Sequence, residues 1–133
     1  MFFTKMNKLL FYADFMAYRV TGKSVSGLAY KAIAHGPVPV RWDRIYSFFD
    51  EIDQEIVQFS DGREGTKLVS KLSPDMAEFS DDELKILEYV SQRFKNETPT
   101  QISEISHHEE AWKQYIDSGQ LISFEKAFCL KAL

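Results

Sequence analysis

The sequence predicts an α+β fold, a mostly helical single domain spanning residues 1–133 with a small antiparallel β-hairpin. Residues 4–21 carry apolar side chains at helical spacing, and three later stretches open with helix-capping patterns. Two strand-like runs flank the turn-forming sequence "SDGREG", as in a β-hairpin. A chain of this length can form one core, and no repeat or linker divides it.

The first helix is predicted between Thr4, as its cap, and Gly22, which ends it. Its apolar positions recur at steps of three and four residues, and they are Met6, Leu9, Leu10, Ala13, Met16, Ala17 and Val20. A second, largely aromatic stripe consists of Phe11, Asp14, Phe15 and Tyr18. We therefore expect this helix to be covered on more than one side. Two roles stay open for Asp14: accepting hydrogen bonds from a nearby loop, or contacting a partner.

The sequence "HGPVP", residues 35–39, predicts a stiff corner. Gly36 can adopt a backbone conformation closed to other residues, and each proline pushes the residue before it towards extended geometry. A short strand within "GLAYKAIAHG" precedes the corner, and Pro39 suits the first turn of a helix. The pattern predicts a strand-to-helix junction, with a helix from about Val40 to Ile52. The residues alone allow a plain turn or a rigid support for a binding surface.

The remaining elements follow in order. "EIVQF" and "TKLVSKL" are predicted to pair as the hairpin, with Gly62 and Gly65 supplying its turn. Helix starts are expected at Ser80, Thr98 and Ser106, each followed three residues later by Glu or Gln. A short final helix is expected to begin near Ser123.

Charge and composition limit the possible functions. The net charge of -4 disfavours non-specific binding to nucleic acid by the bulk surface. Cys129 is the only cysteine, which excludes an internal disulfide, and its apolar neighbours predict a buried thiol. No apolar run approaches the ~20 residues that span a bilayer, and the start lacks the cleavage site of a secretory signal. We expect a soluble cytoplasmic protein without a membrane partner.

The chemistry-bearing residues do not form a recognisable catalytic pattern. His107 and His108 are adjacent, so their side chains point about 100° apart on a helix and do not form a zinc-binding pair. No phosphate-binding glycine loop is present in the sequence. The sequence therefore predicts no enzyme, catalytic residue, metal or cofactor.

A DNA-binding alternative is weaker but stays open. Helix, helix and hairpin in that order are compatible with a winged-helix-like arrangement, in which Arg41 and Arg44 would meet phosphates. The same stretch and the hairpin turn carry more acidic than basic residues, which favours a solvated surface of mixed charge.

Several stretches resemble, in order and spacing, the Panacea domain of the SocA-like antitoxin family, which is also described as phage-associated GepA-like. They are "KLLFYADF", "SVSGLAYKAIAHGPVPVRWDRIY", "FSDDELKILEYV", "ISHHEEAWKQY" and "LISFEKA". The resemblance runs from Lys5 to Ala127. Its most specific parts are the tyrosine six residues before Gly-Pro-Val-Pro and the Ser-His-x-Glu run with a tryptophan closely following.

The resemblance implies a bacterial, non-enzymatic antitoxin that neutralises a cognate protein toxin by direct contact. It agrees with the α+β fold. Similar proteins often carry a further N-terminal DNA-binding domain, for which these 133 residues leave no room. An operon-associated DNA-binding transcriptional regulator is the alternative function.

Two groups of residues follow from the resemblance and from the corner. The expected toxin contacts are Asp14, Tyr30, His35, Gly36, Pro37, Val38, Pro39 and Trp42. The expected framework positions of the family signature are Gly27, His107, Glu109, Trp112 and Ser123.

Overall fold

The computed structural model describes residues 3–42, 52–58, 64–70 and 79–133. The helices are α1 (Phe3–Thr21), α2 (Asp81–Arg93), α3 (Pro99–Ser106), α4 (Glu110–Lys113) and a 3-10 helix (Phe124–Cys129). The strands are β1 (Tyr30–Ile33), β2 (Gly36–Pro39), β3 (Ile52–Gln58) and β4 (Glu64–Ser70). The predicted mostly helical α+β class is confirmed, with two antiparallel hairpins among the described residues where the sequence predicted one.

Helix α1 is the centre of the fold, because it packs against β2, α2, α3 and the 3-10 helix. Its aromatic stripe is fully buried at Phe11 and Phe15, whose rings lie 4.5 Å apart. Phe124 of the 3-10 helix stacks on Phe15 at 4.5 Å. The expectation that α1 is covered on more than one side is confirmed. Thr4 lies inside α1, one residue after its start, and is not its cap.

The stiff corner forms the second strand of a hairpin. β2 pairs antiparallel with β1, with Tyr30 opposite Pro39 and Ile33 opposite Gly36. After β2, the residues up to Trp42 form a turn where a helix was expected. The rest of that predicted helix lies outside the described residues except for Ile52, which begins β3. The described residues therefore do not supply the second helix of a winged-helix arrangement.

The alternation of hydrogen-bonding direction explains why prolines are accepted two residues apart in this strand. The Val40 N–H donates to the Ala29 carbonyl at 2.8 Å, so it faces β1. Direction alternates along a strand, so Pro37 and Pro39 direct their nitrogens away from β1, where no ladder hydrogen bond is lost. On the other edge of the hairpin, the Tyr30 carbonyl accepts from the Ile122 N–H at 2.8 Å. Both edges are thus protected against further strand pairing.

The second hairpin matches the one predicted from sequence. β3 and β4 pair antiparallel, with Ile52 opposite Ser70 and Gln58 opposite Glu64. Gly65 lies in β4 and not in the turn, which corrects one of the two predicted turn glycines. The other, Gly62, lies outside the described residues.

Two of the three predicted capping boxes are confirmed. Ser80 and Thr98 each form a complete capping box, at the starts of α2 and α3. Ser106 is not a cap: α3 continues through it, and its hydroxyl donates to the Ser103 carbonyl at 2.7 Å. Ser123 caps the 3-10 helix by accepting from the Glu125 N–H, so the last predicted helix start is also confirmed.

Cys129 is exposed, contrary to the buried thiol expected from its neighbours. The 3-10 helix turns Ala127 inward and leaves Phe128 64% exposed, so apolar neighbours in sequence do not share one buried face. Within the described part of the chain, no helix combines the length and the apolar character that crossing a membrane requires.

Candidate functional site

Asp14 holds the loop between α1 and β1. Its carboxylate accepts hydrogen bonds from the backbone N–H groups of Val25 and Ser26, at 2.9 and 2.8 Å. It also accepts from the hydroxyls of Ser26 and Tyr30. Of the two roles left open for this buried acid, the structure shows hydrogen bonding to the loop.

Gly36 lies where the hairpin meets α1 and α3. Its φ is +117°, and a Cβ built there would lie 2.6 Å from Lys8 Cε and closer still to Ser106 Oγ. Only glycine fits this position, because it has both a positive φ and no space for a side chain. The Lys8 side chain is consequently pressed between the hairpin and α3.

Lys8 is the unexpected residue of this region. It is 1% exposed on α1, and burial lowers its pKa from 10.5 to about 8 because the charged form is poorly solvated. Within the described parts of the chain it forms no ion pair or hydrogen bond. A lysine side chain buried to this extent is rare in a protein core.

His107 and Trp112 form a stacked pair beside the hairpin. Their ring centroids are 4.2 Å apart, and the indole N–H of Trp112 donates to the Ile33 carbonyl at 2.7 Å. Burial lowers the pKa of His107, a hydrogen bond to the Ala34 backbone opposes that shift, and the positive charge of Lys8 adds to it. Nε2 of His107 is buried and has no hydrogen-bond partner.

A cavity of about 600 Å³ opens between the start of α1, the β1–β2 turn and α3. Its described lining residues are Thr4, His35, Pro99, Thr100, Ser103, Glu104 and His107. A smaller cavity of about 50 Å³ shares Thr4 and His35 with it and reaches Lys8 and Trp42. We call the two together the Lys8 pocket.

Glu109 anchors residues 131–132. Its carboxylate accepts from the backbone N–H groups of Lys131 and Ala132, at 2.9 and 3.1 Å. Burial raises the pKa of Glu109, whereas these two backbone hydrogen bonds lower it. Arg19 and Arg93 donate to the carbonyls of Leu133 and Ala132, so three side chains hold the same segment.

The residues expected as toxin contacts and those expected as framework positions differ in how deeply they are buried. Buried among the expected contacts are Asp14, Tyr30, Gly36, Pro37, Val38 and Pro39. These six residues are buried in the isolated chain, whereas His35 is exposed and Trp42 is half-buried. Of the framework positions, Glu109 is buried, His107, Trp112 and Ser123 are half-buried, and Gly27 is exposed at a φ of +76°.

Sequence reasoning missed Lys8 and Ser103. Both are polar residues on predicted helices, where a solvated position is the ordinary expectation. The sequence contained one signal of this close packing, which was Gly36. A glycine next to two prolines can mark a position where another element approaches the backbone closely.

One of the comparisons with known proteins finds a family. Residues 6–113 match the family described as antitoxin SocA-like, Panacea domain. Neither the curated proteins nor the solved structures include a significant match to the chain.

Proposed function

Because the chain belongs to the SocA-like antitoxin family and carries its Panacea domain, we propose that it neutralises a cognate protein toxin by direct contact and without catalysis. The family match over residues 6–113 is the observation that carries this proposal. It includes all but the first three residues of α1, both hairpins, α2, α3 and α4. The proposed role therefore belongs to the fold as a whole and not to one short motif.

The contact surface that we propose centres on His35 and Trp42. Both line the smaller cavity of the Lys8 pocket, so they lie close together at its rim. Trp42 packs edge-to-face on Phe3 with ring centroids 5.6 Å apart, which fixes its position. A partly exposed tryptophan on a rigid frame is typical of the anchor residues of protein interfaces.

The test is a growth-rescue experiment with the neighbouring reading frame. We expect a small adjacent gene to be toxic when expressed alone, and co-expression of this chain to restore growth through a complex that co-purifies. A purified chain that turned over a nucleotide or cleaved RNA would contradict the non-enzymatic role.

Two variants locate the surface within the same experiment. The double variant His35→Asp with Trp42→Ala should lose rescue and co-purification while keeping a cooperative melting transition. Tyr89→Ala on α2 is the matched control, because it removes another partly exposed aromatic side chain. Loss of rescue with the control and not with the double variant would place the interface on α2 instead.

A further inference from the structure

We propose that the Lys8 pocket binds an anionic oxygen group, a carboxylate or a phosphate, held by Lys8, Ser103 and His107. This proposal is independent of the antitoxin role, since it concerns a ligand of the isolated chain. Three features of the described residues support it: the sign of the charges, the unpaired donors and the size of the cavity.

The charges around the pocket are mainly positive or able to become so. Lys8 and His35 each interact electrostatically with His107, and so does the acid Glu104, so two basic groups and one acid lie within range of the imidazole. Among the described lining residues, Glu104 is the only acid, and it is exposed, so solvent screens its charge. An anion entering the pocket would relieve the repulsion among the basic groups and pair with the buried ammonium group of Lys8.

The polar groups at the pocket lack hydrogen-bond partners inside the fold. Ser103 is 8% exposed, and its hydroxyl oxygen has no partner. Nε2 of His107 is unpaired as well, and it becomes a donor when the imidazole is protonated. Buried donors without acceptors are rare because they cost free energy. A carboxylate or phosphate offers acceptors only, so it can satisfy these donors together with Lys8.

The cavity is large enough for a ligand that carries such a group. Its volume of about 600 Å³ falls within the ~300–1,000 Å³ typical of small-molecule sites. The unpaired Ser103 on α3 and His107, which caps the C-terminus of α3, are four residues apart and therefore lie on one face. The anion would bind against this face, with Lys8 approaching from α1.

Thermal melting of the 133-residue chain in phosphate or acetate, with chloride keeping the ionic strength constant, tests the proposal. We expect a saturable rise in Tm of about 5 °C when the anion reaches ten times its Kd. A larger response to acetate would identify a carboxylate as the ligand. A larger response to phosphate would identify a phosphorylated small molecule.

Matched variants decide whether the pocket is responsible. Lys8→Met keeps the length of the side chain and should abolish the response, whereas Lys23→Met removes an exposed charge and should leave it unchanged. Ser103→Ala should raise the Kd several-fold while the chain stays folded, and the His107 imidazole resonances should shift on titration in the unsubstituted chain. No saturable rise with either anion, or an equal rise in Lys8→Met, would overturn the proposal.

Discussion

Lys8 illustrates a residue whose burial opposes the stability of the fold around it. Its Cδ and Cε lie against Gly36 of the β1–β2 hairpin, close to Ser106 of α3, and its pKa falls to about 8. At neutral pH the side chain is mostly charged, so the fold bears the cost of burying that charge. Burial favours the neutral form of the Lys8 amine. The effect of Lys8 on the free energy of unfolding therefore depends on pH.

Replacing Lys8 with methionine should stabilise the protein at pH 7 by about 1–3 kcal/mol, because the buried charge is removed and the volume is kept. The folded-state pKa is below the unfolded value of 10.5, so the cost is largest below about pH 8. It should shrink as the pH rises from about 8 to 10.5, and the two proteins should converge above that range. Denaturant unfolding between pH 6 and 11 measures the difference. A constant difference across this range would show that Lys8 is not destabilised by burial.

Gly36 should be among the least replaceable residues of the chain. Alanine there combines a positive φ with a clash against Lys8 and Ser106, so Gly36→Ala should lower the free energy of unfolding by roughly 2–5 kcal/mol. Gly22→Ala is the matched control, since Gly22 also has a positive φ but no atom within 4 Å of the added Cβ. The control should cost about 1–2 kcal/mol, from the backbone alone. Equal losses in the two variants would refute the close approach.

The sequence indicates what individual residues can do more readily than where they lie. The hydrogen-bonding role of Asp14 was one of two alternatives raised by a lone acid in an aromatic stripe. The burial of Lys8 could not be foreseen, because it depends on contacts between α1 and segments 28 and more residues away. The prediction that Cys129 is buried was wrong for a related reason. The 3-10 helix places successive residues on different faces, so its apolar neighbours do not bury the thiol.

At the scale of the elements, the loop between α1 and β1 depends on one carboxylate. Asp14 accepts from two backbone N–H groups and two hydroxyls, so it replaces the regular hydrogen bonds that this loop lacks. Tyr30, which begins β1, is one of these donors. Asp14 therefore links the loop to the start of the first hairpin.

Asp14→Ala should destabilise the protein by about 3 kcal/mol or more, because several buried donors lose their acceptor at once. Amide hydrogen exchange should accelerate at Val25 and Ser26, whose N–H groups bind the carboxylate. Tyr30→Phe, the control, removes one of the four donors and should cost about 1–2 kcal/mol. Unchanged exchange at both amides in Asp14→Ala would mean that the loop is held by other contacts.

Elements with local signals could be predicted, and those decided by tertiary contacts could not. The caps at Ser80 and Thr98 form within four residues, so the sequence contains the whole interaction. Ser106 has the same pattern but lies inside α3, where its hydroxyl binds a carbonyl of the same helix. Pro39 is equally suited to a helix start and to a strand edge, and pairing with β1 selects the strand.

At the scale of the whole molecule, the net charge is negative although the Lys8 pocket is locally basic. The net charge is -4, whereas Lys8 and His35 each lie within electrostatic range of His107. The net charge governs the long-range attraction of a polyanion. Pairing with a single anionic group depends instead on how the nearby basic side chains are arranged. The two properties can therefore coexist in one chain.

The isolated chain should not bind duplex DNA tightly at physiological salt, because phosphate contacts require a basic surface. A mobility-shift titration with operator-like and random duplexes should give no Kd in the range of about 10⁻⁸–10⁻¹¹ M that is typical of specific sites. Nanomolar binding of one duplex over the others would instead favour the transcriptional-regulator alternative.

The positions of the aromatic side chains give the Lys8 pocket its own optical probe. The chain has two tryptophans; Trp42 lines the smaller cavity, and Trp112 stacks on His107 at the larger one. A protonated imidazole quenches the emission of an indole stacked against it, and anion binding favours protonation of His107. Occupation of the pocket should therefore dim the native fluorescence of the chain without any label, and Trp42→Phe would leave Trp112 as the sole emitter reporting it.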